Sequence, residues 1–225
     1  MTFSILGYCR RSSMFGMAVS SSSPAVAARC AHARAGVGVV ATQNITDPRL
    51  GPAGLDLLAA GLDAEAALAR LRAGATHIDY RQLVILDRNG RSAAFSGTRT
   101  LGVNAVALEE GAAAAGNLLA NAEVPQRMVA SFLADDGRAL GDRLIGSLLA
   151  GLAAGGEAGP VHSAGLLMVR DVAWPVADLR VDWHETDPIG ELAALWRRYE
   201  PQLDDYVARA LDPSAAPSYG VPGDR

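Results

Sequence analysis

Short apolar runs of strand length come in pairs along this chain, and stretches whose apolar residues return every three or four positions separate the pairs. Phe3–Cys9 and Met14–Ser20 flank the polar Arg10-Arg11-Ser12-Ser13 and predict an N-terminal hairpin. Gln82–Leu86 and Ser92–Ser96 flank Asp87-Arg88-Asn89-Gly90, and Asn-Gly between apolar runs is a strong hairpin signal because both residues tolerate positive φ. Val103–Leu108 and Ala112–Ala115 predict two more short strands. Gly54–Gly61 and Asp63–Leu71 have helical spacing, with Gly61 closing the first helix and Asp63 capping the second. Glu123–Ala134 and Leu140–Ala154 form a second helix pair around Asp135-Asp136-Gly137. Strands and helices therefore arrive in blocks. Blocks suit a layered α+β domain better than a parallel sheet, which needs single strands alternating with single helices.

Ala35–Asn44 is a nearly continuous apolar run and reads as a buried central strand, with Thr42, Gln43 and Asn44 at its rim. Ser163–Val169 predicts another buried strand, and Asp178–Trp183 alternates as a half-buried one should. A last helix follows Asp187-Pro188, and Pro201 interrupts it before Leu203–Leu211. No internal repeat is evident. Residues 1–211 thus read as one domain, and 212–225 as a Pro-, Gly- and Ser-rich tail that composition alone leaves mobile.

The composition removes several classes of chemistry. A net charge of −4 gives no electrostatic reason to bind nucleic acid or an anionic membrane. No run approaches the ~20 apolar residues of a membrane span, and no signal peptide is seen, so the expected location is cytoplasmic. Every basic residue is Arg, which stays protonated and serves neither as a general base nor as a Schiff-base amine. Cys9 and Cys30 are too few for a disulfide framework, and the four histidines lack metal-ligand spacing. Neither a metal nor a cofactor is expected.

What remains is the start of the chain. A methionine aminopeptidase removes Met1 when a small residue such as Thr follows, and Thr2 then carries a free α-amine beside its own hydroxyl. Such an amine has a pKa of about 7.7–8.0 and can take the hydroxyl proton, so one residue supplies nucleophile and base. Ser20-Ser21-Ser22-Ser23 offers hydroxyl and backbone donors if the hairpin brings it beside Thr2; otherwise it is a solvated turn. Asn117 is either a turn former or a carboxamide pointing into a pocket.

The segments Thr2–Ile5, Ala33–Gln43, Gly51–Leu58, Ala94–Gly97, Gly116–Leu119 and Asp178–Asp182, with the tail from Asp212, resemble a bacterial family known as domain of unknown function 1028. That family is grouped with the N-terminal-nucleophile (Ntn) hydrolases, and the resemblance spans nearly the whole chain in order. It implies a four-layer αββα sandwich of two antiparallel sheets between helix layers. The family has no settled activity of its own; its grouping with the Ntn hydrolases implies cleavage of a C–N amide bond in a small molecule or short peptide. On this reading Thr2 attacks, its amine moves the proton, and Ser21, Ser22, Gln43 and Asn117 supply oxyanion donors. Thr42, Asn44 and Arg34 then contact substrate, Arg34 providing positive charge where related enzymes use a lysine. A noncatalytic ligand-binding or assembly protein on the same scaffold is the alternative. Tyr219 and Val221 in the tail are possible anchors on a second copy, and a homodimer is expected.

Overall fold

A computed structural model describes residues 2–221. Its strands form two wholly antiparallel sheets. The larger is assembled from β1 (Thr2–Cys9), β2 (Met14–Ser21), β7 (Ala105–Glu109), β8 (Ala112–Asn117), β9 (Ser163–Val169) and β10 (Ala177–Val181), in the order β10-β9-β2-β1-β8-β7. The smaller is β3 (Ala31–Arg34), β4 (Gly38–Asn44), β5 (Arg81–Asp87) and β6 (Ser92–Ser96), in chain order. The N-terminal hairpin thus supplies the two central strands of the larger sheet, and β1 lies between β2 and β8.

Side-chain alternation sorts the residues of each strand between two faces. Phe3 and Ile5 of β1 pack with Met128 and Phe132 of α4 (Val124–Leu133), Leu144 and Leu148 of α5 (Leu140–Ala153), and Leu192 and Trp196 of α6 (Pro188–Tyr199). Val207 of α7 (Leu203–Leu211) joins the same cluster. Leu6 points the other way, into a second cluster where Met17 and Val19 meet Val39, Ala41, Val84 and Leu86 of the smaller sheet. The far face of that sheet, with Val40, Leu83 and Ile85, packs on Leu55 and Leu58 of α2 (Leu50–Ala59) and on Leu68 and Leu71 of α3 (Ala64–Gly74). Burying each of these large side chains is worth roughly 1.5–3 kcal/mol, so both faces of each sheet are held in place.

Most local expectations match the elements found. Asp63 caps α3 by accepting the Ala66 N–H at 2.9 Å, and Asp187 caps α6 by accepting that of Gly190 at 2.8 Å. In the β5–β6 hairpin Gly90 takes φ +79° as an Asn-Gly turn requires, and the Asp87 carboxylate accepts the Asn89 and Arg91 N–H groups. Three differences have identifiable causes. Ala35-Gly36-Val37 is a turn, not the start of a strand: Gly36 and Gly38 have φ +65° and +146°, and β3 pairs back on β4. A four-residue helix α1 (Ala27–Cys30) precedes β3. Helix α2 begins at Leu50, because Pro52 falls in its first turn, where the missing N–H has no intrahelical partner to lose. The tail up to Val221 folds back on α7, where the Arg209 guanidinium donates to the Pro217 carbonyl and lies 3.8 Å from the Tyr219 ring centre.

Candidate functional site

Thr2 is the first residue of β1, and the parity that sends Phe3 towards the helices turns Thr2 and Ser4 towards the smaller sheet. Asn117, the last residue of β8, stands opposite Thr2 in the register. On the other flank Phe3 is opposite Ser20, and the Thr2 hydroxyl lies 3.5 Å from that of Ser21 at the end of β2. Three neighbouring strands therefore end together with Thr2 in the middle. Thr2 is 4% exposed, and Ser21 and Asn117 are fully buried.

Beneath Thr2 the two sheets are joined by a buried polar seam. The Ser4 hydroxyl donates to Gln43 Oε1 at 2.9 Å, and Gln43 Nε2 donates to Gln82 Oε1 at 2.8 Å. Gln82 Nε2 donates to the Gly116 carbonyl at 3.0 Å and to the Ser96 hydroxyl at 2.9 Å. A backbone carbonyl can only accept, so the Gly116 contact fixes which way the Gln82 amide points. Gln82 Oε1 must then face its other neighbours, and it accepts from Asn117 Nδ2 at 3.1 Å. This leaves Asn117 Oδ1 buried and without a hydrogen-bond partner, on the residue opposite Thr2.

A carboxylate completes the group. Glu157 follows α5 in a loop, is 4% exposed, and accepts the Ser22 N–H with both oxygens at 3.2 Å. It forms a β-bridge with Leu119, two residues beyond Asn117. Burial lifts its pKa to about 7, with the Ser22 N–H working against the rise.

A family described as a family of unknown function, DUF1028, matches residues 2–192. The chain belongs to DUF1028. Among solved structures, a DUF1028 protein from Silicibacter pomeroyi is 27% identical, with 88% of each chain covered and a TM-score of 0.81. An Anbu (ancestral beta-subunit) protein from Yersinia bercovieri is 11% identical over 92% of this chain and 97% of its own, with a TM-score of 0.38. A Gly-1 mutant of Anbu from Hyphomicrobium sp. strain MC1 is 12% identical over 90% and 96%, at 0.40. Likenesses as loose as these last two carry no argument about chemistry. No curated protein matches the chain.

In this DUF1028 chain the residues expected at the site divide into two groups. Thr2, Ser21, Ser22 and Asn117 gather at the strand ends, and Gln43 lies just below, where its amide links Ser4 to Gln82. The Ser22 N–H is occupied by Glu157. Thr42 shares the parity of Val40, so it faces the α2–α3 side, where its hydroxyl donates to the Asp47 carbonyl. Asn44 ties two loops together, donating to the Tyr80 carbonyl and accepting the Leu101 N–H. Arg34 pairs with Gly38 at the opposite end of β4, ~17 Å along the strand from Gln43, and donates to Asp56. Thr42, Asn44 and Arg34 therefore lie outside the cluster around Thr2. Glu157 escaped sequence reading because a Gly-Gly-Glu loop looks solvated. The available signal was its isolation, since no other Asp, Glu or Arg lies between Arg143 and Arg170. Among the described residues no group of three or more His, Cys, Asp or Glu could hold a metal ion, and no helix is long and apolar enough to cross a membrane.

A carboxylate with a raised folded-state pKa binds its proton more tightly folded than unfolded. The stability it contributes is present below the unfolded value near 4.5 and lost as pH rises through about 7. The loss is on the order of 3 kcal/mol. Glu157→Gln should therefore be more stable than the parent at pH 8 in urea melts, and the gap should close towards pH 4.5. A gap that does not change with pH would mean that Glu157 is not charged at a cost.

Proposed function

We propose that this DUF1028 chain is an N-terminal-nucleophile hydrolase, built as four layers αββα, that cleaves a C–N amide bond in a small molecule or short peptide. Removal of Met1 frees the Thr2 amine. As the Thr2 Oγ–carbon bond forms, the hydroxyl proton passes to that amine. The amine then gives the proton to the leaving nitrogen as the C–N bond breaks, and water releases the acyl group by the same path. The supporting observation is the convergence of Thr2, Ser21 and Asn117 at three adjacent strand ends, above an amide seam that holds Asn117 in one orientation. Ser21 supplies a donor for the oxyanion, and Asn117 Oδ1 accepts from the substrate's N–H or from the Thr2 amine. Gln43 and Gln82 act through Asn117.

One observation favours the noncatalytic ligand-binding reading. Thr2 is nearly covered, while a cavity lined by Ser12, Ser13, Ala35, Gly36, Arg170 and Asp171 opens at the opposite end of the sheets. Intact mass and an amine-plus-hydroxyl-selective β-lactone separate the two. The hydrolase gives a chain lacking Met1, with the lactone on Thr2. A chain that retains Met1 and takes no label supports binding alone.

The proposed partner is a second copy of the chain, because Tyr219 and Val221 in the tail are each more than half exposed. Protein truncated before Asp212 should sediment as a monomer and the full chain as a dimer. Equal masses would remove the tail from any interface.

A further inference from the structure

An ionised carboxylate taken out of water costs several kcal/mol unless partners repay it, so a nearly covered Glu needs a reason. The chain goes to some length to place Glu157. Gly155 and Gly156 take φ +121° and +58°, and a Cβ on Gly155 would sit 2.9 Å from Asn121 Nδ2. The loop is zipped to the segment after β8 by Ala120 N–H to the Gly156 carbonyl at 3.0 Å and Ala158 N–H to the Leu118 carbonyl at 2.9 Å. From the other flank the residue after β2, Ser22, donates its N–H. The strand between β2 and β8 is β1, and Thr2 begins it. Neither Ser22 nor Leu119 brings a titratable side chain against the carboxylate.

A nucleophile and its base work best when a third group orients the base and stabilises the charge it acquires. No lysine is available in this chain for that task. We propose that Glu157 is the third member of the Thr2 site, a positioning carboxylate that receives the Thr2 α-amine. It directs the amine's lone pair to the hydroxyl and stabilises the ammonium formed when the hydroxyl proton arrives. The proposal rests on the reading of Thr2 as nucleophile. Bond making and breaking are unchanged by it, since the proton still travels from Oγ to the amine and on to the leaving nitrogen.

The test compares the parent and Glu157→Gln, both beginning at Thr2 by intact mass and both with native circular dichroism. Trace acetylation across pH, read by mass spectrometry at Thr2, reports the amine's titration. Removing a nearby negative charge should lower the amine's pKa by about one unit. Lactone acylation of Thr2 should slow by about 10²-fold, and its acid limb should move down in pH with the amine. Glu157→Asp should recover part of the rate and none of these shifts should appear in Glu123→Gln, an exposed acid elsewhere. An amine titration identical in parent and Glu157→Gln overturns the proposal whether or not Thr2 reacts. If the parent is not acylated, the hydrolase reading fails, while the titration still decides whether Glu157 faces the amine.

Discussion

Thr2→Ala should leave a folded protein that β-lactones and amide substrates no longer acylate, with the rate down by about 10⁴-fold or more. Removing a nucleophile eliminates the covalent route outright, and effects of this size are typical when one member of a catalytic unit is lost. Native circular dichroism should be retained, because Ala keeps the backbone pairing of this position with Asn117 on β8. Thr2→Ser keeps hydroxyl and amine and should retain labelling within about tenfold. The measurement is single-turnover acylation followed by intact mass. Equal labelling of the Ala variant and the parent would place the reactive group elsewhere and end the Thr2 reading.

The second large effect is expected at a residue that does not meet substrate. Gln82 is the hub of the inter-sheet seam, bonded to Gln43, Asn117, Ser96 and the Gly116 carbonyl, and it is fully buried. Gln82→Leu removes the amide and leaves the Gln43 and Asn117 amides and the Gly116 carbonyl without this partner. Each unsatisfied buried group costs about 1–3 kcal/mol, so partial relaxation still leaves a loss of about 4 kcal/mol. The urea midpoint should fall with the slope unchanged. The same substitution frees Asn117 to turn over, so Thr2 labelling should drop even where the variant is fully folded. A loss below about 1 kcal/mol would show that the seam is wet and not a sealed network. A double-mutant cycle with Gln43→Leu measures the coupling directly, and about 1–3 kcal/mol is expected for side chains in contact.

The layered α+β class and most elements were legible in the residue pattern, whereas the two antiparallel sheets came only from the resemblance to DUF1028, the family that matches residues 2–192. The N-terminal hairpin, the Asn89-Gly90 turn and the Asp63 cap are local devices, each set by a few neighbouring residues. β3 was not legible. It has four residues, Ala31-His32-Ala33-Arg34, none of them fully buried, so its alternation is too short and too weak to separate it from the turn that follows.

At the site, sequence alone determined the residue types: a Thr just before the first predicted strand, a run of hydroxyls at the end of the second, and an Asn beyond the short Ala112–Ala115 strand. It also removed lysine from any mechanism. Which of these meet was decided by register and layering. Alternation on β4 reads the same from either face until a second sheet covers one of them, and that covering put Gln43 towards Ser4 and Thr42 towards the helices. Glu157 depends on tertiary structure altogether. It lies 155 positions from Thr2 in the chain, and only the pairing of its loop with the residues beyond β8, and with Ser22 beyond β2, brings it to the strand ends. The partners that hold Glu157 on both flanks are backbone groups that every residue carries, so no side-chain pattern announces them.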